Sequence, residues 1–238
     1  MKLWTLSSLL ILLAGCSPDP VSTQVQLRDI ALACHKYESK NLRFPFAEVD
    51  ADSFEKVSTR LGWRVQILPF LGEENLKLYN RFNHNESWDS PHNLRLVDRM
   101  PDIFKSRHQN LPVGKTLFAM PKFSAENAEK YPNLLPMFAP DKPAKFGNIH
   151  DGSSNTIMII ELNPANAMTW TAPADWNISP DSPKSAVGNA WPDRIMVAFC
   201  DGSTLSLRND ISEEKLLGLA TRAGGEIIDI SECRITKR

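Results

Sequence analysis

Ile195-Met196-Val197-Ala198-Phe199-Cys200-Asp201-Gly202-Ser203-Thr204-Leu205-Ser206-Leu207 reads as a β-hairpin, two apolar runs meeting at Asp201-Gly202. Two closures are open to it. A two-residue type I′ turn pairs Cys200 with Ser203 and sets Met196, Ala198 and Cys200 beside Leu205 and Leu207. A three-residue loop, Cys200-Asp201-Gly202 with Gly202 left-handed, pairs Phe199 with Ser203 and Val197 with Leu205. One residue of slip turns every side chain to the opposite face, so burial selects the register. The second closure gathers Ile195, Val197, Phe199, Leu205 and Leu207 on one face, and each large side chain buried contributes about 1.5–3 kcal/mol. The three-residue register is therefore expected, with that face turned toward the N-terminal helix. Cys200 is then expected at a turn rather than in the core, unbonded to Cys34.

Upstream, Leu27, Ile30, Ala31, Cys34 and Tyr37 recur at three- and four-residue steps and predict an amphipathic helix from Ser22, ended by Asn41 and Pro45. Leu61–Leu71, with Gly62 and Pro69, predicts a short helix or turn leading into a helix over Glu73–Phe82. Ser90-Pro91 opens another, with serine at the N-cap and proline in the first turn, running through Leu94 and Val97 to about Met100. Thr116–Met120, Thr156–Leu162 and Met168–Trp170 read as strands. Pro121–Phe146 and the loop carrying Pro173, Pro180 and Pro183 read as irregular. Ser212-Glu213-Glu214-Lys215 starts a last helix, stopped by Gly224-Gly225. Helices first and antiparallel strands later mean α+β.

The chain has 238 residues, 42% hydrophobic and 23% charged, an ordinary globular composition that excludes disorder and a polytopic membrane protein. Lysine plus arginine is 27 against 28 acids, a net charge of −1, which gives no global drive toward nucleic acid.

Met1-Lys2 and the apolar run Leu3–Leu13 have the length of a secretory h-region and are too short to span a bilayer, which needs about 20 residues. Leu13-Ala14-Gly15-Cys16 then resembles the lipobox of bacterial lipoproteins. The resemblance implies that positions 1–15 are a signal peptide, that Cys16 is acylated, and that the chain sits on the extracytoplasmic side of a membrane. Positions 16–21 read as a tether and 22–238 as a single domain. Nothing apolar and helical precedes Ser22 in the mature chain, so filament assembly by bundling of a long apolar helix is not expected.

Seven ordered blocks resemble a bacterial family of domains of unknown function associated with prepilin-type proteins. They are Leu27–Ala33 with His35-Lys36-Tyr37; Leu61-Gly62-Trp63-Arg64-Val65; Trp88-Asp89-Ser90-Pro91-His92-Asn93 with Met100-Pro101; Asp151–Ile157 with Glu161; Trp170-Thr171-Ala172-Pro173; Ala198–Ser203; and Leu219–Glu226. The resemblance implies a pilin-like fold, a helix packed on an antiparallel sheet with helical and loop insertions, and no known activity. Trp191 stands where the family has a histidine, ten residues before Asp201. The cysteine usual after Met-Pro is missing from Asp102–Ser106.

His84, Glu86, Asp89 and His92 form the densest polar group and contain ligand types suited to Zn²⁺. Their spacing fits no strong metal signature, and Trp88 with Ser90-Pro91 explains them as a helix entry. His150-Asp151-Gly152-Ser153 sets triad residue types side by side, yet Asp-Gly-Ser reads more simply as a turn into the next strand. Trp63, Trp88, Trp170, Trp176 and Trp191 are candidates either for a sugar- or peptide-binding surface or for the core. Beyond Cys16 three cysteines remain, Cys34, Cys200 and Cys233, and no pairing among them follows from spacing. The resulting expectation is a lipid-anchored structural or interaction module. It has no catalytic, cofactor or metal residues, and its partners are the membrane and proteins of the cell envelope. A tryptophan-lined binder and a metal-dependent hydrolase are the alternatives.

Overall fold

The computed structural model describes residues 19–46, 61–107, 109–139 and 142–235, so the signal segment and Cys16 lie outside the described residues. Helix α1, Pro20–Asn41, starts inside the stretch expected to be a tether. Asp19 caps it through Val21 N–H, and Pro20 occupies the first turn, where its missing N–H costs nothing. Its buried face holds Leu27, Ile30, Ala31, Ala33 and Cys34, as the spacing required. Next come α2, Trp63–Gln66, a 3-10 turn at Leu68–Phe70, and α3, Glu73–Tyr79. The helix expected to reach Met100 is shorter. Ser90 caps α4, Pro91–Leu94, and the chain continues as a separate 3-10 turn, Val97–Arg99.

The strand expected over Thr116–Met120 is three two-residue strands: β1, Lys115–Thr116, β2, Phe118–Ala119, and β3, Pro121–Lys122. Each pairs in a different sheet, so the chain bends between them. Pro121–Phe146 is also more ordered than expected. It contains α5, Ala125–Lys130, capped by Ser124, and strands β4, Phe138–Ala139, and β5, Lys142–Pro143. Next in the chain are β6, Ile157–Glu161, β7, Met168–Thr169, and β8, Trp176–Asn177, the last inside the expected proline loop. The hairpin is β9, Arg194–Phe199, and β10, Thr204–Arg208. Two helices close the chain: α6, Glu213–Ala220, capped by Ser212, and α7, Ile230–Cys233. Helix α6 stops four residues before Gly224, because Thr221 leaves it to bridge Pro136.

The main sheet has the order β10-β9-β6-β2 and is antiparallel throughout. Strands β1 and β7 form a separate pair, and β5-β4-β3-β8 a mixed sheet in which β3 runs parallel to β4 and β8. Helix α1 packs on one face of the main sheet, together with Met158, Ile159, Met196, Ala198 and Cys200. Helix α6 packs on the other, where Leu216 and Leu219 meet Ile157, Ile160, Ile195, Val197, Phe199 and Leu207. A bulge between Ile157 and Ile159 turns both Met158 and Ile159 to the α1 side.

The hairpin register is the three-residue one: Val197 faces Leu205 and Ile195 faces Leu207. Phe199 N–H donates to Ser203 O at 2.8 Å, and Gly202, at φ +84°, donates to Phe199 O at 2.9 Å. The expected direction is corrected. Ile195, Val197 and Phe199 face α6, and α1 covers Met196, Ala198 and Cys200. Cys200 is fully buried in the same core as Cys34, not at an exposed turn. The expectation assumed one wet face. Small side chains at Ala31, Cys34, Ala198 and Cys200 instead let α1 sit close on the second face, so both are dry. Gly202→Ala is expected to cost about 1–2 kcal/mol from the left-handed backbone alone. Its added Cβ would meet nothing nearer than His35 Nε2 at 4.0 Å. Gly147→Ala, in open space without a positive φ, should stay within about 0.5 kcal/mol. Urea unfolding of the two variants checks both values.

Candidate functional site

The loop holding His84, Glu86, Asp89 and His92 is organised around Asn93, which is fully buried. Asn93 Oδ1 accepts from Asn83 N–H at 2.9 Å. Its amide donates to Asn83 O at 3.0 Å and Ser87 O at 2.8 Å, with Glu86 O at 3.4 Å. Ser90 Oγ accepts from Asn93 N–H at 3.1 Å, closing the N-cap of α4. His84 and His92 turn away from each other to backbone carbonyls, Nε2 lying 3.1 Å from Tyr79 O and 2.8 Å from Arg81 O. A carbonyl only accepts, so each imidazole donates from Nε2 and that nitrogen is spent. Glu86 Oε1 takes Asn83 Nδ2–H at 2.7 Å. Among the described residues no three His, Cys, Asp or Glu side chains gather as metal ligands. The structural reading of this cluster accounts for its contacts, and Asn93, quoted above only as part of a family-like block, is the residue at its centre.

The most developed polar centre lies elsewhere, where the backbone of Gly62 meets the turn at Thr171-Ala172 that follows β7. Gly62 N–H donates to Thr171 O at 2.8 Å, and a Cβ at Gly62 would stand 2.3 Å from Ala172 O, so only glycine fits. This contact delivers Trp63 and Arg64, both fully buried, into the core. Arg64 Nε donates to Phe118 O at 2.9 Å, Nη1 to Ala174 O at 3.1 Å and Nη2 to Asp175 Oδ1 at 3.1 Å. Asp175 Oδ1 also accepts Trp63 Nε1–H at 2.8 Å and Met120 N–H at 3.0 Å. The side chains of Arg64 and Asp175 are 0% and 1% exposed. Burial lowers the Arg64 pKa and the Asp175 carboxylate opposes that shift. The guanidinium keeps its proton because its ordinary value is so high. Asp175 was not singled out from sequence. The legible clue was Arg64 inside the apolar Leu61–Leu71 stretch, since a buried cation requires a buried anion.

Glu161, 1% exposed at the end of β6, accepts Ser106 Oγ–H at 2.9 Å and Trp191 Nε1–H at 2.7 Å. Trp191, ten residues before Asp201, is thus a donor to a buried carboxylate. Burial raises the Glu161 pKa, and the two hydrogen bonds oppose the rise. With the folded pKa above the unfolded one, this group's contribution to stability is complete below the ordinary carboxylate range. It is lost as pH climbs through the raised value. Glu161→Gln is therefore expected to flatten the stability–pH profile above the ordinary carboxylate range, as read by urea midpoints taken upward from that range.

His150, Asp151 and Ser153 form no triad. His150 N–H donates to Arg222 O at 2.7 Å, and Ser153 O accepts Asp201 N–H at 3.0 Å. The Asp151 carboxylate accepts Gly224 N–H at 2.7 Å and Gly225 N–H at 2.8 Å, filling an anion-binding nest with the chain's own side chain. Cys34, Cys200 and Cys233 are buried free thiols, and burial raises the pKa of each. Protonated, enclosed thiols of this kind are poor nucleophiles.

The tryptophan-lined surface, held as an alternative to core packing, is not formed by its candidates. Trp63, Trp170, Trp176 and Trp191 are buried and Trp88 is half-buried. Trp170 Nε1–H is spent on Val97 O at 2.8 Å. Two depressions at the surface are open and lined mostly by charged and polar side chains. One, of about 400 Å³, is lined by Asp193, Arg208, Asn209, Asp210, Arg234 and Ile235, without an aromatic wall. Among the described residues no helix is long and apolar enough to cross a membrane.

No curated protein and no solved structure was found to match the chain. Residues 21–124 match the family described as "Protein of unknown function (DUF1559)". The matched stretch contains α1, the Gly62-Trp63-Arg64 contact and the Asn93 loop, and stops short of the blocks from Asp151 onward. Over these residues the chain is similar to a bacterial family of domains of unknown function.

Proposed function

We propose that this chain is a structural or interaction module of the bacterial cell envelope, held to the extracytoplasmic face of a membrane by lipid on Cys16 and carrying no catalytic centre of its own. What supports the reading is where the polar side chains of the family-like blocks are employed. Arg64, Asn93, Asp151 and Glu161 each bond to backbone or to other side chains of the same chain. A catalytic or ligand-recognising group must hold out an unspent donor, acceptor or base to its partner molecule. Arg64 and Glu161 tie their neighbours to the main sheet, Asn93 closes its own loop and Asp151 joins two loops. What they leave outward is a fixed surface, which is the working part of an interaction module.

Crosslinking in cells that express the intact chain, followed by enrichment from membranes and mass spectrometry, tests the reading. A reproducible envelope protein as crosslinked partner supports it. Saturable binding of a metabolite-sized ligand by the purified chain, or turnover of one, overturns it. The anchor is tested separately. Cys16→Ser is expected to abolish acylation and leave residues 1–15 attached, both visible in intact mass. A wild-type chain that is unacylated and begins elsewhere than Cys16 would refute the anchor.

A further inference from the structure

Helix α1 is packed on one side only. Thr23, Gln26, Leu27, Ile30, Ala31, Ala33 and Cys34 face the protein. Val21, Val25, Arg28, Asp29, Leu32, Lys36, Ser39 and Lys40 are exposed. At 100° per residue, Val21, Val25 and Leu32 fall within an arc of about 40°, opposite the buried face. They are 47%, 48% and 47% exposed, an apolar line on an otherwise polar outer surface. Within that outward arc the cations Arg28, Lys36 and Lys40 accompany it against Asp29, while Asp19 is exposed at the cap and Glu38 is half-buried on the flank, in a chain whose net charge is −1. The face is locally basic where the whole is not.

The position of this face along the chain names its occupant. Pro20, the first residue of α1, is four residues after Cys16. Four Cα steps reach about 14 Å at most, at 3.3–3.6 Å per residue. A lipid on Cys16 therefore holds the first turn of α1 at or just above the headgroup layer, which is about 5–8 Å deep per leaflet. An amphipathic helix with aliphatic residues flanked by cations is the kind of surface that settles into that layer.

We infer that the outward face of α1 is a membrane-contact surface, with Val21, Val25 and Leu32 seated in the headgroup–acyl boundary of an anionic bilayer and Arg28, Lys36 and Lys40 against its phosphates. The inference rests on the lipid anchor proposed above. It adds an orientation. Helix α1 lies along the membrane, the main sheet sits above it, and α6, on the sheet's other face, points away from the lipid.

The test uses the acylated mature chain in vesicles of phosphatidylethanolamine and phosphatidylglycerol. An environment-sensitive fluorophore is attached in turn to Val25→Cys, Leu32→Cys and, on exposed α6, Glu214→Cys. The native thiols Cys34, Cys200 and Cys233 are buried, which directs the label to the introduced cysteine. Blue-shifted emission and severalfold quenching by lipids carrying a nitroxide high on the acyl chain are expected for Val25→Cys and Leu32→Cys, and not for Glu214→Cys. If intact mass shows acyl chains on Cys16 while all three labels respond alike, the contact surface fails and the anchor stands. If the acyl mass is missing, both fall. If Val25→Cys and Leu32→Cys are shielded in lipid-free detergent and exposed on dilution, a second copy covers the face and the membrane contact is overturned.

Discussion

Asp175→Ala is expected to be the most damaging single substitution among the polar residues, destabilising the fold by on the order of 3–5 kcal/mol. The carboxylate is the partner of a fully buried Arg64, and its Oδ1 also takes the protons of Trp63 Nε1 and Met120 N. Arginine does not escape the penalty by deprotonating, so alanine at 175 leaves a charge and two donors in a dry core. Domains of this size retain only about 5–15 kcal/mol of net stability. At roughly 2–4 °C per kcal/mol, the melting temperature should fall by about 6–20 °C. Asp175→Asn keeps one acceptor oxygen and should lose less. Combining Asp175→Ala with Arg64→Met should recover part of the loss, because an apolar pair replaces buried ions more cheaply than one orphaned ion is tolerated. Thermal and urea unfolding of the four proteins reads this directly. A loss below about 1 kcal/mol for Asp175→Ala would show that the ion pair does not hold the Gly62–Arg64 segment to the strands.

The second large effect is expected at Asn93. Asn93→Ala removes the acceptor of Asn83 N–H and the donor to Asn83 O and Ser87 O, all within one part-buried loop. Unpaired buried groups cost about 1–3 kcal/mol each, and partial access of water to the opened loop sets the expectation near 3 kcal/mol. Asn93→Asp should be no better, since it turns a carboxylate toward carbonyl oxygens. His84→Ala removes one exposed hydrogen bond and a ring contact with Tyr79, and His92→Ala one exposed hydrogen bond, so each should stay within about 1 kcal/mol. Amide exchange localises the effect: Asn83 N–H should exchange faster in Asn93→Ala and be unchanged in the histidine variants. Equal losses at all three positions would mean that Asn93 is not the centre of the loop.

Much of the local architecture was legible in the residues. The buried face of α1 follows from its three- and four-residue spacing and the starts of α4 and α6 from Ser90 and Ser212; the hairpin register is the expected one, although its premise of one wet face does not hold. Each of these signals acts within a helical turn or a single hairpin, so the neighbours that matter are neighbours in the chain. The side of the hairpin that α1 covers was not legible, because Met196-Ala198-Cys200 and Ile195-Val197-Phe199 are both apolar and the choice depends on which helix lies over each. The same holds for the candidate site. Arg64 announced a need for a buried anion, but Asp175 lies 111 positions away in a loop that nothing local marks as interior. The tryptophans carried enough apolar surface for either a binding face or a core, and the surrounding chain made them core. Capping, periodicity and turn chemistry are short-range and readable residue by residue. Burial on both faces of a sheet and the pairing of distant charges are properties of the packed assembly, and only the folded chain selects among the partners that composition allows.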